Sequence, residues 1–329
     1  MKQSSMSKVA LVAMLTVALT PVGALGASND AAPSPESSWA PTDDAARIVM
    51  AESLDARTRD LTIESPTVGT AKVRLLLPPE YDTRTDETFP VLYLLHGGGG
   101  GYADWTKNTD VETYTAATDV IVAMPDALSS RLDTWLSEGG PPNWEHFHVN
   151  ELPELLERYW RAGENRAVGG LSLGGYTAMM YAGHDPDLYQ AVGSYSGALG
   201  LALLQDAPEE ATELVEQATA LAEAAGWDDA EPVELLPSMA ETATYISYGN
   251  GEPGPLDPAG TDDDLLEAWI GLGNDDSLVA LAEEAIPAEV NAYGPGTHSW
   301  SYWDRELKAS LPLLMDALGH RAGSADGEE

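Results

Sequence analysis

The chain has 329 residues, no cysteine, and 54 acidic side chains against 16 basic ones, a formal net charge of −38. The absence of thiols excludes disulfides, thiolate metal sites, a cysteine nucleophile and a lipid anchor on cysteine. So negative a field repels phosphate backbones and anionic bilayers, which argues against nucleic acid and anionic membrane surfaces as partners.

Lys2 and Lys8 flank the start of an apolar run, Val9 to Leu19, that is too short to span a bilayer. Pro21 breaks it, and Ala24-Leu25-Gly26 puts small residues where a signal peptidase needs them. Residues 1–26 therefore read as an export signal cleaved after Gly26. Residues 27–45, rich in Ser, Pro and Ala, read as a disordered leader, residues 46–319 as one domain, and 320–329 as a polar tail. The mature protein is expected to be exported, secreted or held at the cell envelope, with no stable membrane insertion.

Lys72 to Leu77 alternates and stops at Pro78-Pro79, as a strand does. Val91–Leu95, Val120–Met124, Arg166–Gly169, Ala191–Tyr195, Thr244–Tyr248 and Val290–Tyr293 are short apolar runs of the kind buried on both faces of a parallel sheet. Helical patterns lie between them: Val149–Tyr159 with one apolar stripe, Tyr176–Ala182, Ala207–Ala225, Thr261–Ile270 with a capping threonine and an acidic first turn, and Trp300–Leu318. Strands alternating with helices predict a doubly wound, mostly parallel α/β sheet. Residues 201–239 read as a helical insertion that could cap a site.

Gly170-Leu171-Ser172-Leu173-Gly174 matches G-x-S-x-G between a predicted strand and a predicted helix, the context in which that pattern makes a serine nucleophile. The glycines are needed because a Cβ beside the tight turn would collide with neighbouring backbone. A serine needs a base, and in this arrangement the chain order is serine, acid, histidine. Of the six histidines only His298 and His320 lie far enough downstream, and His320 falls in the polar tail. His298 follows a predicted strand in a glycine-rich segment and is the candidate base. His184 reads as structural.

The developing oxyanion needs two backbone N–H donors. Leu173, directly after the nucleophile, supplies one. Gly98, in the glycine run after the Val91–Leu95 strand, supplies the other. For the acid, Asp257, Asp262, Asp263, Asp264, Glu267, Asp275 and Asp276 all fall between the Thr244 strand and His298, and composition does not choose among them. Nothing in the pattern calls for a metal or an organic cofactor.

Gly296-Thr297-His298-Ser299-Trp300, followed by Tyr302-Trp303 and Leu307, resembles the histidine segment of the antigen 85 mycolyltransferases, within the esterase D group of serine esterases. Tyr248-Gly249-Asn250-Gly251, Asp133-Thr134-Trp135, Trp144-Glu145 and Glu151-Leu152-Pro153 are similar too, so the resemblance runs from about Lys72 to Leu318. It implies an α/β-hydrolase fold and a Ser-His-Glu triad whose glutamate lies on a helix in a Phe-Leu-Glu context. Leu265-Leu266-Glu267 is similar to that context, so the resemblance assigns the acid to Glu267, with Asp257 as the alternative. It also supports Gly98 and Leu173 as oxyanion donors.

The mycolyltransferases carry Leu-Asp-Gly and then an arginine in the oxyanion loop, where this chain has Leu95-His96-Gly97 and further glycines. That departure points to hydrolysis before transfer to a sugar. Tyr102, Asp104, Trp105 and Trp300 are candidates to line an alcohol or sugar subsite, with ordinary packing the plain alternative for each tryptophan. The first expectation is thus an esterase acting on small-molecule, lipid or sugar esters. The second is an acyltransferase moving an acyl chain to a sugar or glycerol. A third, a non-enzymatic envelope binder on the same scaffold, has no use for an intact serine, histidine and glycine loop.

Overall fold

The computed structural model describes residues 45–127, 142–200, 209–226 and 232–319. The export signal and its cleavage point, all of the leader but its last residue, Asp133-Thr134-Trp135, His320 and the polar tail lie outside the described residues.

A nine-stranded sheet organises the chain, in the order β1-β2-β3-β5-β4-β6-β7-β8-β9. The strands are β1 Arg47–Ser53, β2 Thr58–Ser65, β3 Gly69–Leu76, β4 Phe89–Leu95, β5 Ile121–Pro125, β6 Ala162–Leu171, β7 Ala191–Tyr195, β8 Ala243–Gly249 and β9 Ala288–Gly294. Every pair from β5 across to β9 is parallel, whereas β1, β2 and β3 form an antiparallel extension joined through β3 to β5. This is the mostly parallel α/β sheet expected from the alternation of apolar runs and helices, in the α/β-hydrolase architecture that the resemblance implies.

The inner strands are apolar on both faces because helices cover both faces. On β4, Val91, Tyr93 and Leu95 enter one core while Leu92 and Leu94 enter the other. The first core is closed by α2 (Leu152–Trp160), α3 (Leu173–His184), α4 (Glu209–Ala225) and α5 (Leu265–Glu283). The second is closed by α1 (Asp104–Asn108) and α6 (Trp300–Ala317), through Trp105, Trp303, Leu307 and Leu314. Each fully buried leucine stabilises the fold by about 1.5–3 kcal/mol relative to exposure. Among the described residues no helix is long and apolar enough to cross a membrane.

Three expectations need correction. The first helix after β8 does not start at Thr261, whose hydroxyl bonds to the Pro258 carbonyl; Asp264 is the N-cap, its side chain accepting from the Glu267 N–H. The same helix runs past Ile270 to Glu283, because Gly271 and Gly273 are packing residues rather than stops. A Cβ on Gly271 would lie 2.7 Å from the Gly249 carbonyl, and one on Gly273 would lie 3.1 Å from Gly200. Finally, β9 is an edge strand with Val290 exposed, not a run buried on both faces.

The chain enters the parallel sheet at β4, places β5 on one side of it and β6 on the other. The crevice at the carboxyl ends of β4 and β6 is therefore a topological switch point, where open α/β sheets bind ligands. Both the glycine run after β4 and Ser172 after β6 emerge there.

Candidate active site

β6 ends at Leu171 and α3 begins at Leu173, leaving Ser172 alone to make the turn, at φ 53° and ψ −123°. Such a backbone costs on the order of 1–3 kcal/mol and persists only where its surroundings enforce it. They do so here. Ser172 N–H donates to the Tyr195 carbonyl at 2.9 Å, and its own carbonyl accepts from Tyr176 N–H at 3.0 Å. A Cβ on Gly170 would lie 2.2 Å from the Gly174 carbonyl oxygen, and one on Gly174 would lie 2.4 Å from the His96 oxygen. The side chain that results sits at the mouth of the crevice, only 6% exposed.

Glu267 and His298 come together directly. The His298 Nδ1 lies 2.6 Å from Glu267 Oε2. Glu267 stands in the first turn of α5, 0% exposed, and its other oxygen accepts from the Gly249 N–H at 2.7 Å, the Ser196 hydroxyl at 2.8 Å and the Tyr293 hydroxyl at 3.3 Å. A buried carboxylate so fully bonded is held as an acceptor, which assigns the proton on Nδ1 to the imidazole and leaves Nε2 as the basic nitrogen. The imidazole is packed edge-on against Trp303, ring centroids 4.9 Å apart.

Two consecutive residues at the end of β7 tie the serine turn to this pair. Tyr195 receives the Ser172 N–H, and Ser196 donates to Glu267. Ser196 also accepts from Trp303 Nε1 at 3.2 Å. It adopts φ 48°, a left-handed conformation that turns its hydroxyl toward the acid.

Asp257 does not reach the imidazole. It accepts from the Thr297 hydroxyl at 2.6 Å, the Tyr302 hydroxyl at 2.8 Å and the Gly254 N–H at 2.7 Å. Burial alone would raise its carboxyl, but these bonds hold it below the ordinary value. Asp257 therefore braces the histidine loop one residue before His298.

The glycine loop crosses directly over the serine turn. A Cβ on Gly97 would lie 2.6 Å from Leu171 Cδ1 and 3.2 Å from Ser172 Cβ. Gly98 follows with its backbone exposed, and Leu173 heads α3, where the helix N-terminus favours negative charge. His96 fixes the loop from below. Its Nε2 accepts from Ala127 N–H at 2.9 Å, so its Nδ1–H donates to the Gly97 carbonyl at 2.7 Å. His148 repeats the device beside it, bonding the Asp126 carbonyl at 2.8 Å and the Tyr181 hydroxyl at 3.0 Å. Burial lowers both imidazoles, His148 to about 4, so both are neutral struts at ordinary pH.

The family model for Esterase matches residues 66–314. The chain belongs to the Esterase family. Esterase Rv1288 of Mycobacterium tuberculosis is 29% identical over 272 residues, covering 77% of this chain and 58% of that protein. The chain thus spans under two thirds of the length of that relative. The diacylglycerol acyltransferase/mycolyltransferase Ag85B of Mycobacterium intracellulare is 27% identical over 263 residues, covering 71% of this chain and 77% of the relative. Among solved structures, a ferulic acid esterase superposes with a TM-score of 0.62 at 20% identity, covering 84% of this chain and all of that one. At that identity the likeness speaks for the fold alone.

In this Esterase-family chain three of the four residues expected to line a subsite make structural contacts. Trp105 is 1% exposed, its Nε1–H bonded to the Leu95 carbonyl, so no face is open to a ligand. Asp104 accepts from the Gly101 N–H at 2.8 Å and closes the glycine loop. Tyr102 packs beneath Lys72 and Arg74, its N–H bonded to Asp126. Trp300 is half-buried at the start of α6, in T-shaped contact with Trp105 and Trp303.

Sequence reasoning missed Ser196 and Gln217, weighed Asp264 only as a candidate acid and read His96 only as part of the glycine run. Gln217 is a buried amide on α4, and a Cβ on Gly98 would lie 2.5 Å from its Oε1. This helix therefore reaches the glycine loop itself. Its polar side chain on an otherwise Ala- and Leu-rich face was the one available signal. A surface groove lined by Tyr114, Lys308, Leu311 and Met315 touches none of these residues.

Proposed function

We propose that this chain is an exported serine esterase in which Ser172 attacks the ester carbonyl, His298 is the base and Glu267 orients it. The observation that carries the reading is the 2.6 Å contact between His298 Nδ1 and the buried, fourfold-bonded Glu267 carboxylate. A carboxylate so placed sets the imidazole tautomer and stabilises the imidazolium formed when Ser172 gives up its proton.

His298 takes the Ser172 proton as Oγ bonds to the acyl carbon, and the carbonyl electrons move to oxygen. Leu173 and Gly98 N–H groups receive that oxyanion. The C–O bond to the alcohol breaks as His298 returns the proton to the departing oxygen. Water then attacks the acyl-enzyme with the same base, releasing acid and restoring Ser172. No metal or cofactor enters the scheme. Export rests on Lys2, Lys8 and the Val9–Leu19 run before Ala24-Leu25-Gly26.

Transfer to an alcohol is the second reading, favoured by the mycolyltransferase relative. Where those enzymes present an aspartate, His96 is 2% exposed and both ring nitrogens are bonded to backbone, at Gly97 and Ala127. It has nothing left to offer a sugar, so water is the preferred acceptor. Product partitioning tests this: with a chromogenic acyl ester and added glycerol or trehalose, free acid dominates if the esterase reading holds. Capture of most acyl groups by the added alcohol would establish the transferase.

A further inference from the structure

Asp264 stands where α5 begins and touches the backbones of both partners in the acid–base pair. Its Oδ1 accepts from the Glu267 N–H at 3.0 Å, and its Oδ2 accepts from the His298 N–H at 2.9 Å. Since the two side chains also meet, at 2.6 Å, the three residues close a ring of hydrogen bonds. Asp264 is itself anchored. Its N–H donates to the Gly251 carbonyl at 2.7 Å, and its carbonyl accepts from Ala268 N–H at 3.0 Å. Gly251 has φ 80°, and a Cβ there would lie 2.2 Å from the Asp264 oxygen, so this approach depends on glycine.

We propose that Asp264 is a positioning residue that clamps the backbone of the base to the backbone of the acid, and that its second oxygen serves the reaction rather than the helix. The proposal rests on the Ser172–His298–Glu267 reading above. Capping a helix needs one side-chain acceptor, and Asp, Asn and Ser serve about equally well. Asp264 uses one oxygen for that. The other reaches 34 residues along the chain, to the backbone of the loop that carries the base. Bound from both ends, His298 is held against Glu267 even as its ring changes charge. Catalytic groups need about 0.5 Å precision from such supports, and a displacement of about 1 Å costs on the order of 10²-fold in rate.

Two substitutions separate the clamp from the cap. Asp264→Ser keeps a hydroxyl for the Glu267 N–H but has no atom to reach His298. Asp264→Asn is near-isosteric and caps well, but its amide offers one acceptor to two N–H donors. The clamp predicts that both fold with thermal midpoints near the native one, that kcat falls about 10- to 100-fold, and that KM changes by less than about threefold. A second readout needs no turnover. The His298 Nδ1 proton, held in the 2.6 Å bond to Glu267, gives a far-downfield proton resonance in the native protein and is lost to exchange in both variants.

A kcat within twofold of native in the asparagine variant, with the downfield proton intact, would overturn the proposal and leave Asp264 a helix cap. If the serine variant does not fold, the asparagine variant carries the test alone. Failure of the site reading looks different: Ser172→Ala would keep its turnover, whatever the Asp264 variants do.

Discussion

Acid should loosen the struts beneath the glycine loop, and His148 sets the scale. It is buried and neutral, with Nε2–H donating to the Asp126 carbonyl and Nδ1 accepting from Tyr181. Burial lowers it from 6.5 to about 4. Above 6.5 neither the folded nor the unfolded chain protonates this ring. Between 6.5 and 4 only the unfolded chain does, so the stability present above 6.5 is lost as pH falls through that window. At 1.36 kcal/mol per unit the loss is about 2 kcal/mol by pH 5 and about 3 kcal/mol over the whole window. His96, lowered by the same cause, acts in the same direction.

His148→Gln keeps one donor and one acceptor but removes the titration. Denaturant unfolding of both proteins at pH 7.5 and pH 5 gives a double difference in which the many carboxylates cancel. Native protein is expected to lose about 2 kcal/mol more than the variant. Parallel losses, equal within about 0.5 kcal/mol, would refute the buried-neutral assignment.

Glu267→Gln should lower kcat by about 10²- to 10⁴-fold with little change in KM, since the uncharged amide no longer stabilises imidazolium; steady-state kinetics on a soluble ester checks it. Ser196→Ala removes the acceptor of the buried Trp303 Nε1 and a donor to Glu267, so unfolding should cost about 1–3 kcal/mol less, read by urea titration. Gly174→Ala puts a Cβ 2.4 Å from the His96 carbonyl oxygen. It should abolish labelling of Ser172 by a fluorophosphonate, because the loop over the turn cannot close.

The serine turn was legible because its requirements are local. Gly170 and Gly174 are glycine for steric reasons that a five-residue pattern records. The candidate base His298 was legible by chain order, and its partner Glu267 only through resemblance, since the pattern did not separate the seven candidate carboxylates of the interval. What stayed hidden depends on tertiary contact. Gly271 and Gly273 look like helix stops until Gly249 and Gly200 are seen pressed against them. Asp264 is one of three consecutive aspartates, and only the return of the His298 loop distinguishes it. Trp105 reads equally well as a stacking platform or as core, and its bond to the Leu95 carbonyl decides for core. The outer strands β1 and β2 were missed because their polar and charged residues blur the apolar alternation of β1, which is exposed but for Ile48, and β2, which is buried on one face.

The central claim is that Ser172 carries the acyl group, activated by His298. Intact-mass and peptide analysis after treatment with a fluorophosphonate tests it most directly. The account predicts a single adduct on the peptide containing Ser172, no adduct in Ser172→Ala, and labelling at least about 10²-fold slower in His298→Ala. An adduct on another residue, or ester turnover undiminished in Ser172→Ala, would contradict it.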